Sequence, residues 1–192
     1  MIYLDALTEH DCEQIRQWRN GDISAARTPY LLTDLMQKDF YKNVVSNRVS
    51  PHRYWAVLDS ALHEVTQFGD DTPQYKDISL NGVKERGRLL GIAGLTNIEW
   101  ENGRAEIALM IAPSERGKGY GLEAFERIKL WGFARMRLHT IYACVYGNNP
   151  ALVAWWQYKC KPTEITSYLA GKFWDGQYHR IYHMTWVNEG DK

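Results

Sequence analysis

The chain has 192 residues, 45% of them hydrophobic and 24% charged, with 23 Lys plus Arg balancing 23 Asp plus Glu. This length and composition suit one globular domain with its own core, and a net charge of zero excludes a global field that would draw the protein to nucleic acid or an anionic membrane. The longest apolar run, Ile107 to Ala112, is far short of the roughly 20 residues a membrane span needs.

Met1-Ile2-Tyr3-Leu4-Asp5 has neither a basic region nor a signal-peptide hydrophobic core, so a cytoplasmic protein is expected. Ile2 to Leu7 alternates apolar and polar residues and reads as a strand. Thr8-Glu9-His10-Asp11 then resembles a helix start, with Thr8 as the cap and acids where the helix dipole favours them. Cys12, Ile15 and Trp18 form its apolar stripe, and Asn20-Gly21 ends it. After a loop over Asp22 to Leu31, Thr33-Asp34 opens a second helix carrying Leu32, Met36, Phe40 and Val44 at four-residue spacing.

Arg53 to Leu58 and Arg88 to Ile98 read as strands. The polar stretch between them, Asp59 to Gly87, is too long for a simple hairpin and is expected to be an insertion, with a short helix around Ser60 to Gln67 and turns at Gly69-Asp70-Asp71 and Asn81-Gly82. Asn102-Gly103 is a two-residue hairpin signal, pairing Arg104 to Ala112 back onto the preceding strand until Pro113 ends the ladder. Tyr120 to Arg137 has helical spacing through Leu122, Phe125, Ile128 and Trp131. Thr140 to Val145 is a strand, and Pro150 opens a helix to about Tyr158. Strands near Ile165 to Phe173 and Tyr178 to Trp186 flank the turn Asp175-Gly176. Seven strands joined partly by hairpins and partly by helices imply an α/β (mixed α+β) fold, a mixed and mostly antiparallel sheet with helices on both faces.

The chemistry is concentrated in Pro113-Ser114-Glu115-Arg116-Gly117-Lys118-Gly119-Tyr120-Gly121, between a strand and a helix. Glycines at alternate positions leave backbone N–H groups open and free to adopt positive φ, so that several can converge on an anion. The helix start at Tyr120 adds unpaired N–H groups, and Arg116 and Lys118 add charge. A dinucleotide fingerprint would need Gly or Ala where Leu122 stands, and an ATP P-loop would need Lys-Ser or Lys-Thr.

Arg116, Gly119 and Gly121 instead form Arg-x-x-Gly-x-Gly, which resembles the phosphate loop of the GCN5-related N-acetyltransferases (GNAT). Trp18-Arg19-Asn20, Ala105-Glu106-Ile107 and Asn149-Pro150-Ala151 fall in family order, and Trp18-Arg19-Asn20 resembles the branch of ribosomal-protein N-terminal and amino-sugar acetyltransferases. The resemblance implies a single domain over residues 1–192, with the insertion at about 59–87 lacking a family counterpart. It implies acetyl-CoA as co-substrate and transfer to a primary amine in a ternary complex. Arg116, Gly117, Lys118, Gly119, Tyr120 and Gly121 would hold its pyrophosphate, backbone groups near Met110 and Ile111 would pair with the pantetheine arm, and Asn149 would bond the cofactor or cap its own helix. The position of the family's tyrosine holds Trp156, with Tyr158 two residues along.

Acetyl transfer needs a base for the ammonium, an oxyanion donor and an acid for the thiolate. Glu106, an acid inside an otherwise apolar strand, is the candidate base; its plainer reading is an outward-facing acid paired with Arg104 or Arg88. A backbone N–H of Leu109 or Met110 would meet the oxyanion, and Tyr158 is the candidate acid, with Tyr146 and Tyr182 as alternatives. The expected acceptor is a small-molecule amine, with a nucleotide-linked amino sugar leading because Arg19 or Arg27 would pair with a diphosphate. A peptide or protein N-terminal acetyltransferase and a non-catalytic acyl-CoA-binding domain are the alternatives. The six histidines form no metal-ligand spacing, so no metal is expected, and Cys12, Cys144 and Cys160 read as buried or incidental thiols. Nucleic acid and membrane are not expected partners, and the oligomeric state is not legible.

Overall fold

Residues 1–24, 26–59 and 86–190 are described by a computed structural model, together with the backbone of 63–66, 74–77, 79–80, 83–84 and 191. In chain order the elements are β1 (Ile2–Ala6), α1 (Glu9–Gly21), α2 (Asp34–Phe40), β2 (Arg53–Asp59), β3 (His63–Thr66), β4 (Gln74–Asp77), β5 (Ser79–Leu80), β6 (Val83–Lys84), β7 (Leu89–Glu99), β8 (Arg104–Ile111), α3 (Tyr120–Leu130), β9 (Thr140–Tyr146), α4 (Pro150–Tyr158), β10 (Glu164–Trp174) and β11 (Gln177–Val187). One wider π-type turn extends α2 over Tyr41–Val45 and another extends α3 over Trp131–Arg135.

Seven strands form one sheet in the order β1-β2-β7-β8-β9-β11-β10, as the sequence pattern implies. Neighbours are antiparallel except β8 and β9, which run parallel and pair only from Arg104↔Thr140 to Glu106↔Tyr142. Beyond Glu106 the two strands part, and β8 from Ile107 to Ile111 is paired on its β7 side alone. A parallel neighbour that separates in this way leaves N–H and C=O groups directed into the gap, where each needs a partner.

β9 alternates half-buried Tyr142, Cys144 and Tyr146 with buried Ile141, Ala143 and Val145. The buried set joins Phe125, Ile128, Trp156, Met184 and Trp186 under α3 and α4. Phe125 anchors this layer, with ring centroids 5.5 Å from Trp156 and 4.9 Å from Trp186. On the opposite face, Tyr3, Leu7, Cys12, Ile15, Ala56, Leu58 and Ile92 pack between α1 and the β1-β2-β7 side of the sheet. That second layer stops short of β9 and β11, leaving the half-buried row of β9 open.

Several local expectations change. A helix near Ser60 to Gln67 is not what forms: His63–Thr66 is a strand pairing antiparallel with Gln74–Asp77. Residues 60–62 and 67 lie outside the described residues, as do the turns expected at Gly69-Asp70-Asp71 and Asn81-Gly82. In α2 the apolar stripe is displaced: Met36 is exposed, while Gln37 is buried and donates from Nε2 to the Cys12 carbonyl at 2.8 Å. A polar side chain inside a helix pair is stable when it satisfies such a carbonyl, and spacing alone does not reveal that acceptor. The β7–β8 turn also spans four residues, not two, with Gly103 at φ +58. The Asp175-Gly176 turn has the expected two residues, both at positive φ.

Candidate active site

Gly117 and Gly119 adopt φ +78 and +89, and a side chain on either would meet no protein atom within 4 Å. An exposed, left-handed pair of glycines before a helix turns successive N–H groups outward. Gly119 is the N-cap of α3 and no side chain caps that end, so the helix offers its positive end to an incoming anion. Gly121 works differently from the expectation of positive φ. It is helical, and a Cβ there would lie 3.4 Å from the Trp155 ring and 3.6 Å from the Ile111 side chain. A methyl group would fit there in ordinary contact, so Gly121 marks where α4 brings Trp155 against the loop, a contact that the sequence does not signal.

The charged residues of the loop are already engaged. Glu115 accepts from Arg88 at 2.7 Å and from Lys118 at 3.0 Å, and these two cations hold its carboxyl down at about 2. Arg116 pairs with Asp22 at 3.2 Å and reaches the Ile111 carbonyl at 3.4 Å. Tyr120 is half-buried against the α3 core layer. Asn149 caps α4, its side chain accepting from the Leu152 N–H at 3.0 Å. The cap engages Oδ1 and not the amide nitrogen.

Glu106 ends the paired part of β8, where β9 departs, and is 8% exposed. Its neighbours are not Arg104 or Arg88, as the plainer reading had it. Arg27, from the loop after α1, donates to Oε1, and Asn97 donates to Oε2 at 2.9 Å. Arg27 Nε also reaches the Tyr146 hydroxyl at 3.3 Å. Asn97 is delivered by a bulge in β7, where it takes φ +49 and the register against β8 shifts; such a bulge re-aims a side chain that regular pleating would point elsewhere. The Asn97 N–H donates to His52 Nδ1 at 3.1 Å, and burial holds that imidazole below its ordinary pKa, as suits a ring that accepts.

Burial, reinforced by the Glu106 charge, pushes the Tyr54 phenol up to about 12 and raises the Cys144 thiol. Burial first, then neighbouring acids, pushes Cys12 and Cys160 up to about 12, so all three thiols are poor nucleophiles. Tyr158 lies in the last turn of α4, 68% exposed, and no described contact joins it to Glu106. Tyr146, at the end of β9, is joined instead to Arg27, the cation paired with Glu106. Trp18 packs against the core layer under α1, while Arg19 and Asn20 hold the loop that follows them. Arg19 holds Thr28 Oγ1 at 2.6 Å, and the Asn20 amide exchanges two 2.8 Å bonds with the backbone of Leu32. Arg19 Nη2 is therefore committed within the chain, while its buried Nη1 has no hydrogen-bond partner among the described residues.

A parting parallel pair, an uncapped helix behind a glycine cradle and a carboxylate at the fork define an acyl-transfer architecture. Residues 2–157 match the family described as Acetyltransferase (GNAT) domain, and the chain belongs to this family of acetyl-CoA-dependent N-acetyltransferases. It is 34% identical over 94 residues to the uncharacterized N-acetyltransferase p20 of Bacillus licheniformis, covering 45% of this chain and 53% of that protein. It is 29% identical over 96 residues to the spermidine N(1)-acetyltransferase of Vibrio cholerae, covering 50% and 55%. The matches thus span about half the length of these curated relatives. The fold is that of the Vibrio cholerae spermidine N-acetyltransferase whose crystal structure holds CoA and spermine, with a TM-score of 0.73, 21% identity, and coverage of 97% of this chain and 95% of the other.

Proposed function

We propose that the protein transfers an acetyl group from acetyl-CoA to the primary amine of a small alkylamine, polyamines included. The observation that carries this reading is the Glu106 carboxylate at the β8/β9 fork, which already holds a cation, the Arg27 guanidinium. An alkylammonium ion has the same charge and the same need for an anionic partner.

Acetyl-CoA supplies an activated acetyl thioester. Arg116, Gly117, Lys118, Gly119, Tyr120 and Gly121 would hold its pyrophosphate, through N–H groups at the start of α3 and the two side-chain charges. Unpaired backbone groups around Met110 and Ile111 would take the pantetheine amides, and Asn149 would add its amide nitrogen. Glu106 would orient the ammonium and accept its proton at Oε1, and the Tyr146 hydroxyl would hold a proton for the sulfur in place of Tyr158. The names of the similar proteins agree with a polyamine acceptor, and one of their structures is a complex with CoA and spermine.

A second reading, the nucleotide-linked amino sugar, is favoured by a cation on the open face. Arg104 lies 4.8 Å over the Tyr142 ring and would suit a diphosphate, whereas the buried Lys172, 4.3 Å over the Tyr146 ring, donates to the Ser24 and Ala26 carbonyls. The two readings separate in one experiment, a thiol-release assay over polyamines, UDP- and TDP-linked amino sugars and short peptides. Turnover of putrescine or spermidine without inhibition by UDP or TDP is expected; sub-millimolar inhibition by a nucleoside diphosphate would transfer the assignment to the amino sugar. Glu106→Gln should lower kcat roughly 100-fold while the CoA dissociation constant stays unchanged, and an unaltered kcat would remove Glu106 from the role of base.

A further inference from the structure

The loop between α1 and α2 touches both halves of the site, and each of its contacts has the sign of a ligand. Asp22, an anion, pairs with Arg116 at 3.2 Å in the phosphate loop. Arg27, a cation five residues on, pairs with Glu106. The proposed donor brings an anionic pyrophosphate to Arg116, and the proposed acceptor brings a cationic amine to Glu106.

We propose that Asp22 and Arg27 are competitor residues: they fill the donor and acceptor positions with groups of the ligands' own charge, and they admit only a polyanion at one and a strongly basic amine at the other. This rests on the acetyltransferase reading above. Glu106 has both oxygens engaged and its side chain is only 10% exposed, whereas that of Arg27 is 60% exposed. An amine therefore reaches Oε1 by taking the place of the guanidinium, which is exposed enough to move into solvent once the ammonium replaces its charge at the buried carboxylate. A neutral amine or an alcohol offers no charge to replace the one it expels. Asp22 and Arg116 are likewise 35% and 48% exposed, so a pyrophosphate can displace that carboxylate.

Other bonds hold the loop's backbone while these side chains exchange. Lys172 Nζ donates to the carbonyls of Ser24 and Ala26, Asn148 Nδ2 donates to Ser24 at 2.8 Å, and Arg19 and Asn20 hold Thr28 and Leu32. The side chains of Asp22 and Arg27 thus exchange on a fixed support.

Isothermal titration with CoA alone tests the donor half. Asp22→Asn should bind CoA about 5- to 10-fold more tightly than the unaltered chain, while Glu126→Gln, which removes the same charge elsewhere, should not. If Asp22 merely positions Arg116, the variant will bind CoA more weakly, and either that or an unchanged affinity overturns the proposal. On the acceptor side, Arg27→Gln should lower the alkylamine KM at least 5-fold and narrow the preference for alkylamines over weakly basic aryl amines, with Arg27→Lys restoring both. A raised KM in Arg27→Gln would assign Arg27 to acceptor binding instead. An unaltered chain that binds no CoA would defeat the acetyltransferase reading itself; normal CoA binding with no gain in Asp22→Asn defeats only this inference.

Discussion

Gly119 shows how much one missing side chain does. Its φ of +89 disfavours any L-residue, and the space above it is open to solvent rather than filled by protein. A side chain there is strained by about 1 kcal/mol, and a carboxylate would point into the position proposed for the pyrophosphate. Gly119→Asp should therefore fold with a slightly lower melting temperature and lose the rise in melting temperature that CoA confers. For the unaltered chain that rise corresponds to about 2.7 kcal/mol at a ligand concentration of 100 times the dissociation constant. A full shift in the variant would show that the anion binds elsewhere. Glu106 makes the complementary point. Its position in an apolar strand is visible in the sequence, but its partners are Arg27, 79 residues away, and Asn97, placed by a bulge. Neither carries a local signal, because a loop arginine and a strand asparagine are common at the surface.

At the scale of elements, α1 was legible almost to the residue. Thr8 accepts from the Asp11 N–H at 3.2 Å and Asp11 returns a bond to the Thr8 N–H at 2.7 Å, a reciprocal cap. What the spacing did not reveal is that Asp11 is buried and also pairs with Arg86 at 2.8 Å, tying α1 to the segment before β7. Burial alone would push the Asp11 carboxyl up, but its bonds to Arg86 and Thr8 outweigh that and hold it below the ordinary 3.8. A depressed carboxylate contributes stability above its unfolded pKa and loses it as the pH falls through the folded value. Asp11→Ala should thus cost about 2–4 kcal/mol at pH 7. In urea titrations the gap to the unaltered chain should shrink as the pH drops below the ordinary carboxyl value; a gap independent of pH would mean that the cap and ion pair are not its source. α2 was read less well, since a short helix with one buried glutamine has too few turns to fix its phase.

For the molecule as a whole, stability is expected to rest on the aromatic layer beneath α3 and α4. Phe125 is fully buried and meets Trp156 and Trp186. Phe125→Ala should cost about 3–5 kcal/mol, a fall in melting temperature of roughly 10 °C, measurable by calorimetry. A loss under 1 kcal/mol would mean that the layer collapses to fill the space.

The sequence by itself determined the seven strands of the main sheet, the helix caps, the Asp175-Gly176 turn and the glycine loop before α3, because each depends on residues within a few positions of one another. Periodicity, capping and the φ freedom of glycine act over one or two turns of chain. Tertiary structure alone decided that β8 and β9 pair for three residues and then part, which leaves Ile107 to Ile111 paired on one side only. It also brought Arg27, Asn97 and Tyr146 around Glu106, set Trp155 against Gly121 and left Tyr158 in solvent. These are contacts between distant segments, chosen by which charges and surfaces the packed sheet brings together, and no local pattern encodes them.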